Sequence, residues 1–139
     1  MGGLHHSLLL VEDSPDDAAL SLRAVSQAGV PCDVRVIGHG GEALRLLLNP
    51  EGPIPSLIVL DFHLPGYSGL EILRALRSQE RTRHVPIVML SSLESDKEVM
   101  QCLEGGASSC VQKPMEFQSY VECVALLVKY WLTVDKRPA

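Results

Sequence analysis

The chain has 139 residues, 46% of them hydrophobic and 21% charged, which predicts one globular domain and excludes a disordered chain. Its formal net charge of -5 does not provide the basic surface that nucleic-acid binding requires, and no apolar run reaches membrane-spanning length. The four cysteines, Cys32, Cys102, Cys110 and Cys123, include no C-x-x-C pair. We therefore expect free thiols in a cytoplasmic protein that binds neither nucleic acid nor membrane.

Strand-like and helical patterns alternate along the chain. The first, third and fourth strand-like runs are continuously apolar, which is typical of strands buried on both faces of a parallel sheet. The second run alternates apolar and polar residues and predicts an edge or half-exposed strand. The predicted strands cover residues 7–11, 32–36, 56–61, 85–90 and 110–112.

The helix after the first strand has a clear start signal. Ser14 is placed as its N-cap, Pro15 occupies the first helical position, and Asp17 is spaced to close a capping box. Gly29 is the expected end of this helix. Its predicted apolar stripe consists of Ala18, Leu22 and Val25.

Four further helices are predicted, over residues 42–48, 70–80, 95–104 and 116–131. In the helix over 70–80, Arg77 should face outward. Ser95 and Glu98 are spaced to form a capping box at the start of the next helix. The apolar stripe of the last helix should begin at Phe117 and end at Trp131.

Five strands that alternate with five helices predict a parallel sheet with helices on both faces. No internal repeat or linker divides the sequence. We therefore expect a single domain over residues 1–139, with its core over residues 7–132 and a tail over residues 133–139.

Chemically complementary side chains follow the predicted strands: Glu12 and Asp13 the first, Asp61 the third, Ser91 the fourth and Lys113 the fifth. The carboxyl ends of parallel strands share one edge of a sheet, so these groups can converge. Crowded carboxylates are tolerated where a divalent cation binds, and Mg²⁺ prefers oxygen ligands. A carboxylate in such a site is a plausible phosphoryl acceptor. Taken singly, Asp61 also fits a turn or N-cap, and Lys113 fits a surface lysine.

At these residues the chain resembles a receiver domain of bacterial two-component response regulators. The resemblance runs from about residue 7 to residue 131. The motifs that carry it are the Glu12-Asp13 pair, residues 60–66 with Gly69, the strand over 85–91 and Lys113-Pro114. It implies an α/β, flavodoxin-like (CheY-like) sheet of strand order 2-1-3-4-5 with five helices on both faces.

The resemblance also implies roles in phosphotransfer. Asp61 would accept a phosphoryl group from a sensor histidine kinase in a magnesium-dependent reaction. Ser91 would bind the phosphoryl group by a hydrogen bond, and Lys113 would pair with it. The protein would support its own phosphotransfer and dephosphorylation and would not otherwise be an enzyme.

The same resemblance implies a metal site. Asp13 and Asp61 would bind Mg²⁺ directly, Glu12 would act mostly through water, and the backbone carbonyl of His63 would be a further ligand.

Three positions depart from the receiver pattern, and one of them is Met115, which stands where a phenylalanine is common after the Lys113-Pro114 pair. Ser91 replaces the commoner threonine, which should preserve the hydrogen bond. Cys110 stands where the fifth strand usually carries a tyrosine or phenylalanine. This makes the coupled hydroxyl-and-aromatic switch of the family doubtful here.

The end of the chain suggests how the signal is passed on. Only residues 133–139 follow the last helix, so we expect no output domain and a signal carried by a changed protein-interaction surface. The run over 130–132 and the proline-rich turn over 50–55 are similar to response regulators that partner phytochrome photoreceptor kinases. That similarity makes a bacteriophytochrome one possible kinase.

The last helix is apolar nearly all round, since Glu122 is the one polar residue between Val121 and Val128. A sheet covers only one side of such a helix, so a second copy of the chain is expected to cover the other. The predicted homodimer interface consists of Val121, Val124, Ala125, Val128 and Trp131. The alternative is that the C-terminal tail folds over this face.

Three rival functions remain. A haloacid-dehalogenase-type enzyme also uses a strand-end aspartate and magnesium, but it needs an acid where this chain has His63. A nucleotide-binding module would need a glycine-rich phosphate loop after a strand, and the sequence has none. A pseudo-receiver that only binds partners is opposed by the intact acidic residues and Lys113, although Cys110 leaves it open.

Overall fold

The computed structural model describes residues 6–91, 96–113 and 116–134. Its strands are β1 (His6–Val11), β2 (Cys32–Ile37), β3 (Leu57–Asp61), β4 (Ile87–Ser91) and β5 (Ser109–Gln112). Its α-helices are α1 (Pro15–Ala28), α2 (Gly40–Leu47), α3 (Gly69–Ser78), α4 (Asp96–Glu104) and α5 (Phe117–Lys129). Each predicted strand and helix has its counterpart, with ends shifted by a few residues.

The five strands form one parallel sheet in the order β2-β1-β3-β4-β5. This confirms the predicted α/β fold and its strand order. The register pairs Asp61 with Leu90 and Ser91 with Gln112. The strand ends therefore lie side by side, and the residues that follow them emerge at one edge of the sheet.

Two apolar cores cover the two faces of the sheet. Leu8 and Leu10 of β1 belong to the core that includes residues of α1 and α5. Leu9 of β1 and Ile58 of β3 belong to the other core, which includes residues of α2, α3 and α4. Full burial of each such side chain contributes about 1.5–3 kcal/mol, so alternate strand residues stabilise both layers.

The start of α1 is only partly as predicted. Ser14 is the N-cap, since its Oγ accepts a hydrogen bond from the Asp17 amide at 3.3 Å, and Gly29 ends the helix with φ 73°. The Ser14 amide, however, donates to Glu12 Oε2 at 3.2 Å, and the Asp17 carboxylate instead bonds Lys113. The predicted capping box is therefore wrong in its second half.

The predicted stripe of α1 is wrong at Leu22, which is 41% exposed. The neighbouring Ser21 is buried instead, and its Oγ lies 2.8 Å from the Tyr120 hydroxyl of α5. Successive helical residues are about 100° apart around the axis. The face that α1 turns to α5 therefore includes Ser21, while Leu22 falls outside it.

Arg77 does not face outward as predicted. Its guanidinium donates to the carbonyl oxygens of Val85 at 2.7 Å and Gly106 at 2.8 Å, and also to those of Thr82 and Arg83. These carbonyls belong to the segments before β4 and after α4, where strand and helix ladders do not satisfy them. Arg77 therefore joins two loops at the end of the sheet opposite Asp61.

The last helical segment differs from its prediction at both ends. Phe117, predicted to start the apolar stripe, is 72% exposed. The α-helix ends at Lys129, and a π-helical turn follows over Tyr130–Val134. The predicted tail therefore overlaps this turn at its first two residues, and residues 135–139 lie outside the described ranges.

The predicted dimer interface needs correction. Val121, Val124, Ala125 and Val128 are 0–8% exposed and belong to the chain's own core against the sheet and α1. Trp131 is half-buried, and its Nε1 donates to Ser109 Oγ at 3.1 Å. The apolar pattern of α5 is thus used largely within the chain, because α1 as well as the sheet covers it.

Candidate functional site

Three carboxylates meet at the carboxyl edge of the sheet. Glu12 and Asp13 follow β1, Asp61 ends β3, and one oxygen of each lies within 4.8 Å of the other two. Glu12 and Asp61 are only 3% and 4% exposed, whereas Asp13 is exposed. The predicted convergence of these residues is therefore present, and the group opens to solvent on the Asp13 side.

Lys113 lies at the centre of this acidic group. It directly follows β5, and its Nζ donates to Glu12 Oε1 at 2.8 Å, Asp17 Oδ2 at 2.9 Å and Asp61 Oδ2 at 3.2 Å. Burial alone would lower the pKa of Lys113, but its hydrogen bonds to Glu12 and Asp17 and the charge of Asp61 raise the pKa above its ordinary value. Lys113 therefore stays charged and partly neutralises the carboxylates.

Glu12 is the carboxylate that its surroundings perturb most clearly. Burial, followed by the proximity of Asp61, raises the pKa of Glu12 to about 7, although Lys113 opposes the shift. Its two oxygens accept hydrogen bonds from the Ser14 amide and from Lys113. A divalent cation in this site would favour the ionised form of Glu12.

The Asp61 carboxylate is held in a fixed orientation. Its Oδ1 accepts a hydrogen bond from the His63 amide at 3.2 Å, and its Oδ2 accepts from Lys113. The backbone is fixed as well: a Cβ added at Gly69, the first residue of α3, would lie 2.1 Å from the Asp61 carbonyl oxygen. Gly69 thus allows α3 to begin directly against the end of β3.

Ser91 is fully buried at the end of β4, and its hydroxyl is engaged with an acid from α4. Its Oγ donates to Glu98 Oε1 at 2.7 Å. The other carboxylate oxygen of Glu98, Oε2, lies 3.2 Å from His63 Nε2. Ser91 therefore stands at the predicted edge, with its hydroxyl directed to Glu98.

Two acids of the site were not predicted to belong to it. Asp17 and Glu98 each stand three residues after a serine, a spacing that predicts a capping box. Asp17 instead bonds Lys113, while Glu98 contacts Ser91 and His63. Ser95, the predicted cap for Glu98, lies outside the described residues.

Cys110 lies on β5, half-buried, beside the fully buried Cys102 of α4. Burial, with a contribution from Cys110, raises the pKa of Cys102 to about 12, and burial also raises the pKa of Cys110. Both thiols are free, as are Cys32 and Cys123. Such thiols are small hydrophobic groups of low reactivity, so this position offers no aromatic ring to couple to Ser91.

An acidic cluster and a lysine at the carboxyl edge of a parallel 2-1-3-4-5 sheet define a phosphoacceptor signalling module. The profile of the Response regulator receiver domain matches residues 8–125, so the chain belongs to the response regulator receiver family. Receiver domains are signalling modules and partner with sensor histidine kinases. Among the described residues, no helix is long and apolar enough to cross a membrane.

Known proteins resemble the chain over nearly its whole length. The probable methanogenesis regulatory protein FilR2 of Methanothrix harundinacea is 31% identical over 134 residues, which are 94% of this chain and 86% of FilR2. Several other curated relatives are longer, and the chain spans less than half of their length.

Two solved response regulators have the same fold. The phosphorylated cyanobacterial phytochrome response regulator RcpA is 25% identical, with a TM-score of 0.90, and the match covers 98% of this chain and 100% of RcpA. The Mn²⁺-bound form of response regulator Rcp1 is 24% identical, with a TM-score of 0.89, over 96% of this chain and 99% of Rcp1. In this chain, Glu12, Asp13 and Asp61 supply the oxygen donors that suit a divalent cation.

Proposed function

We propose that this receiver accepts a phosphoryl group on Asp61 from a sensor histidine kinase, in a reaction that depends on Mg²⁺. The observation that carries this proposal is the ion pair between Lys113 Nζ and Asp61 Oδ2 inside the group formed by Glu12 and Asp13. A nucleophilic carboxylate, a fixed cation and a set of oxygen donors are the parts that phosphoryl transfer requires.

The transfer uses a carboxylate oxygen of Asp61 as the nucleophile. A bond forms between this oxygen and phosphorus as the bond from phosphorus to the kinase histidine nitrogen breaks, and that nitrogen keeps the electron pair. Lys113 balances charge on the transferring group, and the His63 amide fixes the orientation of Asp61. A carboxylate nucleophile needs no general base.

The metal site is proposed from the donor chemistry. Asp13, Asp61 and the His63 carbonyl would hold Mg²⁺ directly, and Glu12 would contribute through water. When bound, the ion would supply positive charge for the phosphoryl oxygens.

Intact mass spectrometry after incubation with acetyl phosphate tests this function. With Mg²⁺ the wild-type chain should gain one phosphoryl group, and this gain should be lost without Mg²⁺ and in Asp61→Asn. Asp16→Asn is a matched control, since Asp16 is an exposed aspartate in the first turn of α1. An adduct that persists in Asp61→Asn would place phosphorylation elsewhere, and no adduct under any condition would favour the pseudo-receiver.

We propose that this receiver acts in the cytoplasm. We also propose that its kinase is a bacteriophytochrome. The support is the similarity to the phytochrome response regulator RcpA over nearly the whole of both chains. Phosphotransfer profiling against a panel of purified histidine kinases tests the partner. Faster transfer from a phytochrome kinase than from the other kinases supports it, and equal rates from all of them contradict it.

A homodimer through the last helix is also proposed, with a corrected surface. Leu126 and Tyr130 are 70% and 45% exposed and stand four residues apart, so they lie on one outer face. Light scattering at micromolar concentration should show a dimer for the wild type and a monomer for Leu126→Lys. Leu22→Lys, at an exposed leucine of α1, should remain dimeric. A monomeric wild type, with and without beryllofluoride, contradicts the dimer.

A further inference from the structure

The side chain of Glu98 joins the phosphotransfer edge to α4. Ser91 Oγ donates to Glu98 Oε1 at 2.7 Å, and Glu98 Oε2 lies 3.2 Å from His63 Nε2. The His63 amide in turn donates to Asp61 Oδ1. One carboxylate of α4 thus contacts residues from the ends of both β3 and β4.

The Ser91 hydroxyl cannot serve two acceptors with its proton at once. A serine hydroxyl carries a single donor hydrogen, and in this structure that hydrogen is directed to Glu98. Carboxylate oxygens such as those of Glu98 are among the stronger hydrogen-bond acceptors in proteins. A phosphoryl group on Asp61 must therefore compete with Glu98 for Ser91.

We propose that Glu98 is a positioning residue: it holds the Ser91 hydroxyl in the unphosphorylated state and is displaced from it when Asp61 is phosphorylated, which loosens the start of α4. This inference rests on the proposed function of Asp61. The displacement has two causes, because Glu98 loses its donor and also meets the added negative charge.

The packing of α4 makes it responsive to such a change. Within Asp96–Glu104, all of which the structure describes, Cys102 alone is buried. Met100 and Leu103 are 55% and 50% exposed. With so little apolar burial, the polar contacts of Glu98 supply much of what fixes the first turn of this helix.

The contact between Ser91 and Glu98 can act without an aromatic residue on β5. Cys110 occupies that place, half-buried and next to Cys102, so it provides no ring to follow the movement of Ser91. Glu98 links Ser91 directly to a helix, and the link requires no side chain from β5.

Titration with beryllofluoride, a phosphoryl mimic, at saturating Mg²⁺ tests this role. Glu98→Gln keeps the size of the side chain and removes its charge, so its Kd for beryllofluoride should fall about tenfold, the change expected for loss of one charge-assisted hydrogen bond. Glu104→Gln is the matched control, because it removes an exposed acid from the same helix. It should leave the Kd within about twofold of the wild type.

A double-mutant cycle with Ser91→Ala separates positioning from a general charge effect. The fold-changes of Ser91→Ala and Glu98→Gln should not multiply, since both substitutions break the same contact. Hydrogen exchange gives an independent readout: the α4 amides should exchange faster in Glu98→Gln than in Glu104→Gln, and faster in the wild type once beryllofluoride is bound.

Three results would overturn the proposal in distinguishable ways. If the wild type binds beryllofluoride and Glu98→Gln behaves like Glu104→Gln, Glu98 has no positioning role although Asp61 remains the acceptor. If the two fold-changes multiply, Glu98 does not act through Ser91. If the wild type binds no more beryllofluoride than Asp61→Asn, the function proposed for Asp61 fails and this inference fails with it.

Discussion

Lys113 Nζ lies 2.9 Å from Asp17 Oδ2, so the first turn of α1 supplies a carboxylate to a lysine that follows β5. The two residues are 96 positions apart in sequence. This contact places Lys113 between three acids, and it fixes the lysine beside Asp61 before any phosphoryl group arrives.

Substitution of Asp17 tests the contribution of this contact to stability. Asp17→Ala should lower the free energy of unfolding by about 1 kcal/mol, the usual value of a hydrogen bond at a partly exposed site. Asp16→Ala, in the same turn but exposed, serves as the control for helix-dipole effects. Urea unfolding measures the free energy of unfolding of both variants. An equal decrease in Asp17→Ala and Asp16→Ala would show that the contact with Lys113 contributes nothing to stability.

Removal of Lys113 should be more costly, because it leaves Glu12 and Asp61 buried without their cation. Loss of one partner of a buried ion pair costs about 3–5 kcal/mol, so we expect Lys113→Ala to lose about 3 kcal/mol at pH 8. The loss should be smaller at pH 5, where Glu12 can take up a proton. A pH-independent loss in urea unfolding would contradict this account.

The raised pKa of Glu12 predicts how stability depends on pH without a divalent cation. Folding raises this pKa from 4.5 to about 7, so the folded state binds more protons than the unfolded state between these values. The contribution of Glu12 to stability should therefore fall as pH rises from about 4.5 to about 7. Glu12→Gln should lack this slope, which chemical denaturation across the pH range will measure.

Mg²⁺ should offset the loss of stability that accompanies ionisation of Glu12, since the ion binds the ionised carboxylates. At pH 8, addition of saturating Mg²⁺ should stabilise the wild type, and removal by a chelator should cancel the gain. Asp13→Asn should reduce this stabilisation while leaving the metal-free unfolding midpoint nearly unchanged, because Asp13 is exposed. An equal gain in both proteins would exclude Asp13 as a ligand.

Gly69 should not tolerate a side chain. A Cβ there would lie 2.1 Å from the Asp61 carbonyl oxygen, and relief of such overpacking costs about 1–3 kcal/mol. Gly69→Ala should therefore lower the melting temperature. It should also slow phosphorylation, because the added methyl group would push the Asp61 backbone out of place. Gly38→Ala is the control, because its nearest contact would be an ordinary 3.5 Å. Equal melting temperatures and phosphorylation rates in Gly69→Ala and Gly38→Ala would contradict this prediction.

The sequence predicted the sheet and most of the site because both depend on simple patterns. Continuous apolar runs give β1, β3 and β4, and the parallel topology then brings Glu12, Asp61 and Lys113 to one edge. None of this requires knowledge of side-chain orientation, since the backbone order alone places these residues at the strand ends.

The residues that were mispredicted are those for which local and tertiary interactions compete. An acid three residues after a serine can cap a helix or reach a neighbouring element, and the spacing of Asp17 after Ser14 fits both. The lysine that binds Asp17 comes from a distant part of the chain. In the same way, the sequence of α5 is apolar on nearly every side, and this pattern does not show that α1 covers the second side. That contact buries Val121 and Ala125.

The sparse anchoring of α4 has a consequence for how such a protein diversifies. Within Asp96–Glu104, Cys102 alone is buried, so packing constrains few of the other positions. The outer residues of α4 can therefore be replaced with little loss of stability. Mutations at these outer positions can then accumulate while the residues around Asp61 stay the same, so the surface of α4 can diverge without a change in the chemistry of the site.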